Sequence, residues 1–307
     1  MSSTSTTALS TDFVLSGGVP RKNQDFAASI LFTVAYSIVI PILALRYFRK
    51  SSRTSILLRI AFFLPTRIAT FVIRTIQAGG DESEGLFVSE QILLLCGFLL
   101  LLEPFSTLVK FNLYRHWTPE GKKHNLARTL FLIRLALLAA VGLGEYIGSR
   151  AQDALTDPGS ESTTLRKCRW AAGGISLGVV VLSLGLAVYA QTLERRSYVR
   201  TVYLSVLGIC LLIPSIYKLA LYANPSSPTS SSGKAVFYLL FCLPELLAAL
   251  VYLSINLEQT FEIKEGTAKE EWNEKAIEGD IGGSYSSPYS EWKALRASRE
   301  MDRKESV

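Results

Sequence analysis

Seven ionisable residues lie inside stretches of sequence that are otherwise apolar enough for a membrane interior. Arg67 and Arg74 share one apolar run, Glu103 lies in the next, and Arg134 and Glu145 lie in the one after that. Lys218 and Glu245 occupy the last two. Acids in such positions take up protons or cationic groups, and bases meet phosphate or carboxylate, so these side chains are the ones equipped to hold a polar ligand. A charge in hydrocarbon costs at least ~2.5–3.5 kcal/mol by insertion scales, and each therefore needs a partner or water. Seven of them imply a helix bundle with a polar interior. Glu90, near the start of the third apolar run, joins them as an eighth candidate.

Catalytic and metal chemistry finds little support. The carboxylates Glu103 and Glu245 are a pair by type only, since nothing in the sequence places them around one substrate. The two histidines, His116 and His124, fall in one hydrophilic stretch, RHWTPEGKKH. Two histidines eight apart make a poor metal site, and the inward His and Asp set of a membrane metallohydrolase is missing. No HExxH or P-loop motif occurs. The expectation is a protein that is not an enzyme and has no cofactor and no metal.

These residues need elements to carry them. The chain has 307 residues, 49% of them hydrophobic, and a net charge of +6. Its long apolar blocks place it in the membrane class. Seven spans are read: 26–48, 56–77, 87–111, 126–147, 170–190, 202–222 and 235–257. Each approaches the ~20 residues that cross ~30 Å of hydrocarbon. Helices are expected because lipid offers the backbone no hydrogen bonds, and the absence of period-2 alternation argues against a closed barrel. The fold class is all-α, a seven-helix polytopic membrane protein with its membrane domain at 26–257.

The flanks set an orientation. Arg46, Arg49, Lys50 and Arg53 follow the first span, Arg115, Lys122 and Lys123 the third, and Arg195, Arg196 and Arg200 the fifth. Between spans two and three stand Asp81, Glu82 and Glu84 and no base. The positive-inside rule then places the N-terminus outside and the C-terminus in the cytoplasm. The fourth loop dissents, with Arg150, Arg166, Lys167 and Arg169 on the outer side. Residues 1–25 read as a polar outer tail without signal-peptide features, and 258–307 as a disordered cytoplasmic tail, poor in large aliphatics, that could hold a cytoplasmic partner. Basic patches with interleaved aromatics are absent, which argues against a nucleic-acid partner. Cys96, Cys210 and Cys242 lie in apolar runs and Cys168 near a loop, where they read as small hydrophobes rather than a disulfide framework. The chain is expected in the plasma membrane or another endomembrane.

Counting along the spans at ~1.5 Å per residue sorts the charges into layers. Arg67 and Glu245 fall near mid-bilayer, Glu103 and Arg134 nearer the cytoplasm, and Arg74, Glu90, Glu145 and Lys218 toward the outer side. Each layer mixes both signs, and removing one member of a buried pair strands the other at ~3–5 kcal/mol. Helical phase puts Arg67, Thr70, Arg74 and Gln77 on one face, and Ser215, Lys218 and Tyr222 on another. Arg134 and Glu145, eleven apart with Gly142 between, share a third, and Tyr238, Glu245 and Tyr252 recur every seven residues. Either a water-filled cavity or a static network of ion pairs follows from such stripes. Pro65, Pro104, Pro214 and Pro244 lie near the charges and mark kinks. In the fifth span Gly174 and Gly178 form GxxxG, which permits close helix approach, chiefly inside the bundle or alternatively between protomers of a homo-oligomer.

The run EGLFVSEQILLLCGFLLLLEP at 84–104, following the Arg-bearing second span, and LPELLA at 243–248 resemble uncharacterised fungal seven-helix membrane proteins. These are similar to the fungal lipid-translocating exporter family, also called the resistance-to-aminocholesterol family. The resemblance covers most of the hydrophobic portion and implies a seven-helix bundle engaged in lipid movement or stress response, with Glu90, Glu103 and Glu245 at its intramembrane acids. Two other classes fit the topology. A seven-helix receptor does, although the third span ends in KFNLYRHW and the seventh in YLSINLEQ, without the rhodopsin-like triplet or Asn-Pro-x-x-Tyr. A scaffold acting through its tail does as well. The reading is a protein that binds or moves a lipid or other amphipathic small molecule. Its candidate binding residues are Arg67, Glu103, Arg134, Lys218 and Glu245, with Arg74, Glu90 and Glu145 at the outer mouth.

Overall fold

A computed structural model describes residues 16–49, 54–80, 83–116, 120–156, 160–193, 198–223, 230–261 and 263. Seven long helices run in order: α1 (Lys22–Phe48), α2 (Ser55–Ala78), α3 (Glu84–His116), α4 (Glu120–Thr156), α5 (Ser160–Leu193), α6 (Tyr198–Ala223) and α7 (Ser231–Ser254). Each contains a stretch long and apolar enough to cross a membrane. The first six expected spans lie within these helices. The seventh overshoots, because the backbone turns extended at Ile255 before a short helix at Leu257–Phe261. No strand occurs among the described residues.

The helix order in space follows from what each face offers. Consecutive helices pack on one another, and α1 also meets α7, while α3 touches α2, α4, α5, α6 and α7. Helix α3 is thus the central post, with 67% of its apolar window inside the bundle against 28% for α1. The peripheral helices bury one narrow stripe each. In α1 the buried residues are Asp25, Ser29, Phe32, Tyr36, Val39 and Leu43, spaced alternately four and three. Such spacing is the pattern of a heptad seam, and it points Asp25 at the interior.

Several serine and threonine hydroxyls within the helices bond back to their own backbone. Thr70 donates to the Thr66 carbonyl (2.8 Å), Ser176 to Ala172 (2.8 Å) and Ser215 to Leu211 (2.9 Å), so none needs a partner across the interior. Helix α7 is interrupted by a π-turn, Tyr238–Cys242, where the Leu243 N–H reaches back five residues to the Tyr238 carbonyl. Pro244 follows at once; it has no N–H to offer and leaves the Leu240 carbonyl without its helical donor. The C-terminus of α7 is capped from α1, as Arg46 donates to the carbonyls of Ser254 (3.1 Å) and Ile255.

Three expectations about the flanks change. Helices α3 and α4, and likewise α4 and α5, are separated by three residues each, 117–119 and 157–159, so the expected third and fourth loops are largely helical. The bases that opposed the orientation, Arg150, Arg166, Lys167 and Arg169, sit in α4 and α5, and Arg169 is buried. Helix α1 begins at Lys22, so Asp25 belongs to the bundle rather than to a polar tail. The disorder expected of residues 258–307 falls, from 264 onward, outside the described residues. Before that point Phe261 packs on Tyr203 at 5.8 Å and Ile263 is buried.

Candidate functional site

Helix α2 carries three arginines, Arg59, Arg67 and Arg74, and each meets acids from a neighbouring helix. Their spacings of eight and seven residues set them roughly 12 and 10 Å apart along the axis. The three levels differ in burial, which decides what each can do.

Arg74 is the hub of the level nearest the start of α1. Its Nη1 donates to Glu90 of α3, its Nη2 to Asp25 of α1 at 2.8 Å and to the Gly17 carbonyl, and its Nε to the Tyr238 hydroxyl at 3.0 Å. Lys234 of α7 takes the other oxygen of Asp25. The Tyr238 hydroxyl lies 3.0 Å from Ser29 Oγ and 3.1 Å from Asp25 Oδ1. Gln77, with its amide turned to suit both neighbours, donates to Glu90 Oε2 (2.7 Å) and accepts from the Phe87 N–H (2.7 Å). Gly17 has φ 81° and sits where a Cβ would come 3.0 Å from both terminal nitrogens of Arg74, so only glycine brings its carbonyl to the guanidinium there. Two acids and two bases close a neutral, buried network.

The middle level is Arg67, Glu245 and Lys218. Arg67 Nη2 donates to Glu245 Oε1 at 2.6 Å, and its two terminal nitrogens reach the carbonyls of Leu93 and Leu94 at 3.2 Å. The guanidinium lies between the rings of Phe63 and Phe241, at 5.5 and 5.4 Å. Gly97 of α3 makes this seat: a Cβ there would lie 2.8 Å from Arg67 Cζ. Arg67 Nε and Glu245 Oε2 are buried without a hydrogen-bond partner. The Lys218 side chain is buried over the rings of Phe98 (4.2 Å) and Phe241 (5.1 Å), within electrostatic reach of Glu245 and Arg67. It therefore joins the middle level rather than the outer one, where counting along α6 sets it.

The third level is looser. Arg59 meets Glu103 at 2.7 Å and Thr107 at 3.2 Å, with the side chains of the pair 28% and 39% exposed. Glu103 therefore pairs within the α2–α3 contact and not with Arg134, its expected layer partner. Arg134 and Glu145 are both exposed on α4 and do not form an inward stripe. The reason lies in α4 itself, whose buried line is Leu130, Ile133, Leu137, Ala140, Gly144 and Ile147. The two charges share a face, but a different one. Gly142, expected as an inward gap, is exposed with them. In α5 the GxxxG glycines, Gly174 and Gly178, have no atom within 4 Å of a Cβ placed on either, so the motif is not used inside the bundle. The same stretch also reads as Gly-x-Ser-x-Gly, but Ser176 lies mid-helix with its hydroxyl bonded backward, not on the strand-to-helix turn of a hydrolase nucleophile.

Beside Lys218 a narrow, open-mouthed cleft lies among α3, α4, α5 and α6. Arg169, Gln91, Tyr222 and Ser16 contribute its polar lining. Of these, sequence reasoning puts Arg169 in a loop and does not single out Gln91 or Ser16. Asp25, Lys234, Arg59 and Gly97 are the other contributors it misses. Asp25 and Arg169 are nevertheless legible, because both fall on the heptad-spaced buried stripes of their helices.

The geometry defines a seven-helix integral membrane protein whose interior carries paired charges at two levels, with a third, partly exposed pair beyond them. No family model, no curated protein and no solved structure matches the chain.

Proposed function

We propose that the protein binds, and thereby moves across or along the bilayer, a lipid or other amphipathic small molecule, without enzymatic chemistry. The observation that carries this reading is the Lys218 cleft, a polar recess among four apolar helices next to the central Arg67–Glu245 pair. An amphiphile offers both a polar group for such a recess and a chain for the apolar helix surface around it. The buried ion pairs of Arg74 and Arg67 act as a frame, fixing α2 against α1, α3 and α7 so that the recess keeps its shape. The eight candidate residues thus divide into a frame (Arg67, Arg74, Glu90, Glu245), a binding residue (Lys218), and three peripheral charges (Glu103, Arg134, Glu145).

The test is lipid flux in liposomes carrying fluorescent phospholipids, with an impermeant reductant reporting which leaflet each probe occupies. Scrambling or export by the wild type that Glu245→Gln abolishes supports a path through the polar level. No flux for any lipid tested moves the reading to a receptor, or to a scaffold that loses function when residues beyond 263 are removed.

A further inference from the structure

The cleft has a chemical preference. Its described lining contains two cations, Lys218 and Arg169, together with the hydroxyl of Tyr222 and the amide of Gln91, and no carboxylate. Lys218 is 3% exposed, no carboxylate among the described residues lies within ion-pair distance of its ammonium, and its contacts are the faces of Phe98 and Phe241. The acid that acts on it most strongly through space is Glu245, whose Oε1 is already held by Arg67 at 2.6 Å. An ammonium ion has three donors and is costly to bury without acceptors. The other buried acids are engaged as well: Asp25 holds Arg74 and Lys234, and Glu90 holds Arg74. The ring faces attract the cation but offer its N–H groups no oxygen acceptor.

We propose that the Lys218 cleft is an anion site that takes the phosphate group of an amphiphile, with the apolar side chains of Ile92, Leu95 and Ile147 beside it accepting the start of the chain. The inference rests on the binding reading above and narrows its substrate class to phosphate-bearing anionic amphiphiles. The recess is too narrow for a whole lipid, so only the headgroup enters. The second N–H of Gln91, whose amide already reaches the Ser16 carbonyl, and the hydroxyl of Tyr222 supply neutral donors that suit phosphate oxygens.

The experiment uses the full chain in an uncharged maltoside detergent. Its thermal midpoint and equilibrium binding are measured with three probes: dioleoyl phosphatidate, dioleoyl phosphatidylcholine and inorganic phosphate. Phosphatidate is expected to raise the midpoint in proportion to the logarithm of its concentration, while phosphatidylcholine with the same chains does not. Lys218→Met is expected to weaken phosphatidate binding at least tenfold and Lys218→Arg to keep it. The methionine variant is expected to fold, because it removes a buried charge that lacks an acceptor. Tyr222→Phe, which keeps the ring and loses one donor, gives an independent severalfold loss. Binding of inorganic phosphate that matches phosphatidate and depends on Lys218 supports the anion site and assigns it to a free anion. Equal response to both lipids, or phosphatidate binding unchanged in Lys218→Met, overturns the proposal. A negative flux assay with headgroup-selective binding refutes movement and leaves this site standing; flux indifferent to Lys218 and to headgroup charge does the reverse.

Discussion

Replacing Glu245 by leucine leaves the Arg67 guanidinium buried with its two carbonyl contacts at 3.2 Å and without its 2.6 Å carboxylate. Breaking a buried pair from one side costs about 3–5 kcal/mol, most of it the stranded charge. The two sides are not equivalent here. When Arg67 is replaced by methionine, Glu245 still has Lys218 within electrostatic reach; when Glu245 is removed, both Arg67 and Lys218 lose their acid. Glu245→Leu is therefore expected to cost more than Arg67→Met, at the upper and lower ends of that range respectively. In the double variant no ion pair is left to break, and methionine and leucine fill a site walled by Phe63 and Phe241. Lys218 still lacks its acid there, so the cost is expected to fall below that of Glu245→Leu but not below that of Arg67→Met, giving a coupling of at least about 3 kcal/mol. Unfolding by titration with a denaturing detergent, followed by tryptophan emission in mixed micelles, measures all four corners of the cycle. Single costs that add to the double within about 0.5 kcal/mol would refute the pairing. Equal single costs would refute the role given to Lys218.

Further outcomes follow from the other levels. Gly97→Ala places a methyl group on the Arg67 guanidinium, which is held by three bonds and cannot swing aside, so it is expected to cost about as much as Arg67→Met in the same titration and to add nothing when combined with it. Tyr238→Phe removes a hydroxyl that touches Arg74, Ser29 and Asp25, for a loss of about 1.5–3 kcal/mol, since two of the partners are charged. Glu103→Gln disturbs a partly exposed pair and is expected to change stability by less than about 1 kcal/mol, a difference that shrinks further in high salt. Gly178→Leu meets no atom inside the bundle, so the monomer midpoint is expected to hold; a fall in apparent mass by light scattering would show that this face joins two copies.

How far the sequence can be read depends on whether a residue's depth or its bearing is needed. Depth follows from counting residues along each span, and counting alone sets Arg67 level with Glu245 and Arg74 level with Glu90, the pairs that the bundle forms. Bearing depends on where a helix stands in the bundle. Arg134 and Glu145 do share a face, as their spacing requires, but α4 is peripheral and presents a different line of residues to α3 and α5. Glu103 goes to Arg59 because α2 and α3 are neighbours, a fact that no single-chain periodicity contains. The seats made by Gly17 and Gly97 are hidden for a related reason. A glycine that admits a guanidinium from another helix looks in sequence like any other glycine.

Asp25 shows what helical phase alone can recover, and why that matters to function. It sits four residues before Ser29 on a stripe that continues through Phe32, Tyr36, Val39 and Leu43 in alternate steps of three and four. An acid on that line must face the bundle, and so must a base on the corresponding line of α5, which is where Arg169 lies. The same rule separates the two acid–base populations of the interior. Asp25, Glu90 and Glu245 fall where bases from other helices already meet them, and they close the frame. Lys218 falls on the inward line of α6, where a recess takes the place of a carboxylate. Among the described residues the buried acids are each bonded to a base, and Lys218, which reaches Glu245 only through space, is placed to meet a charge that a ligand brings.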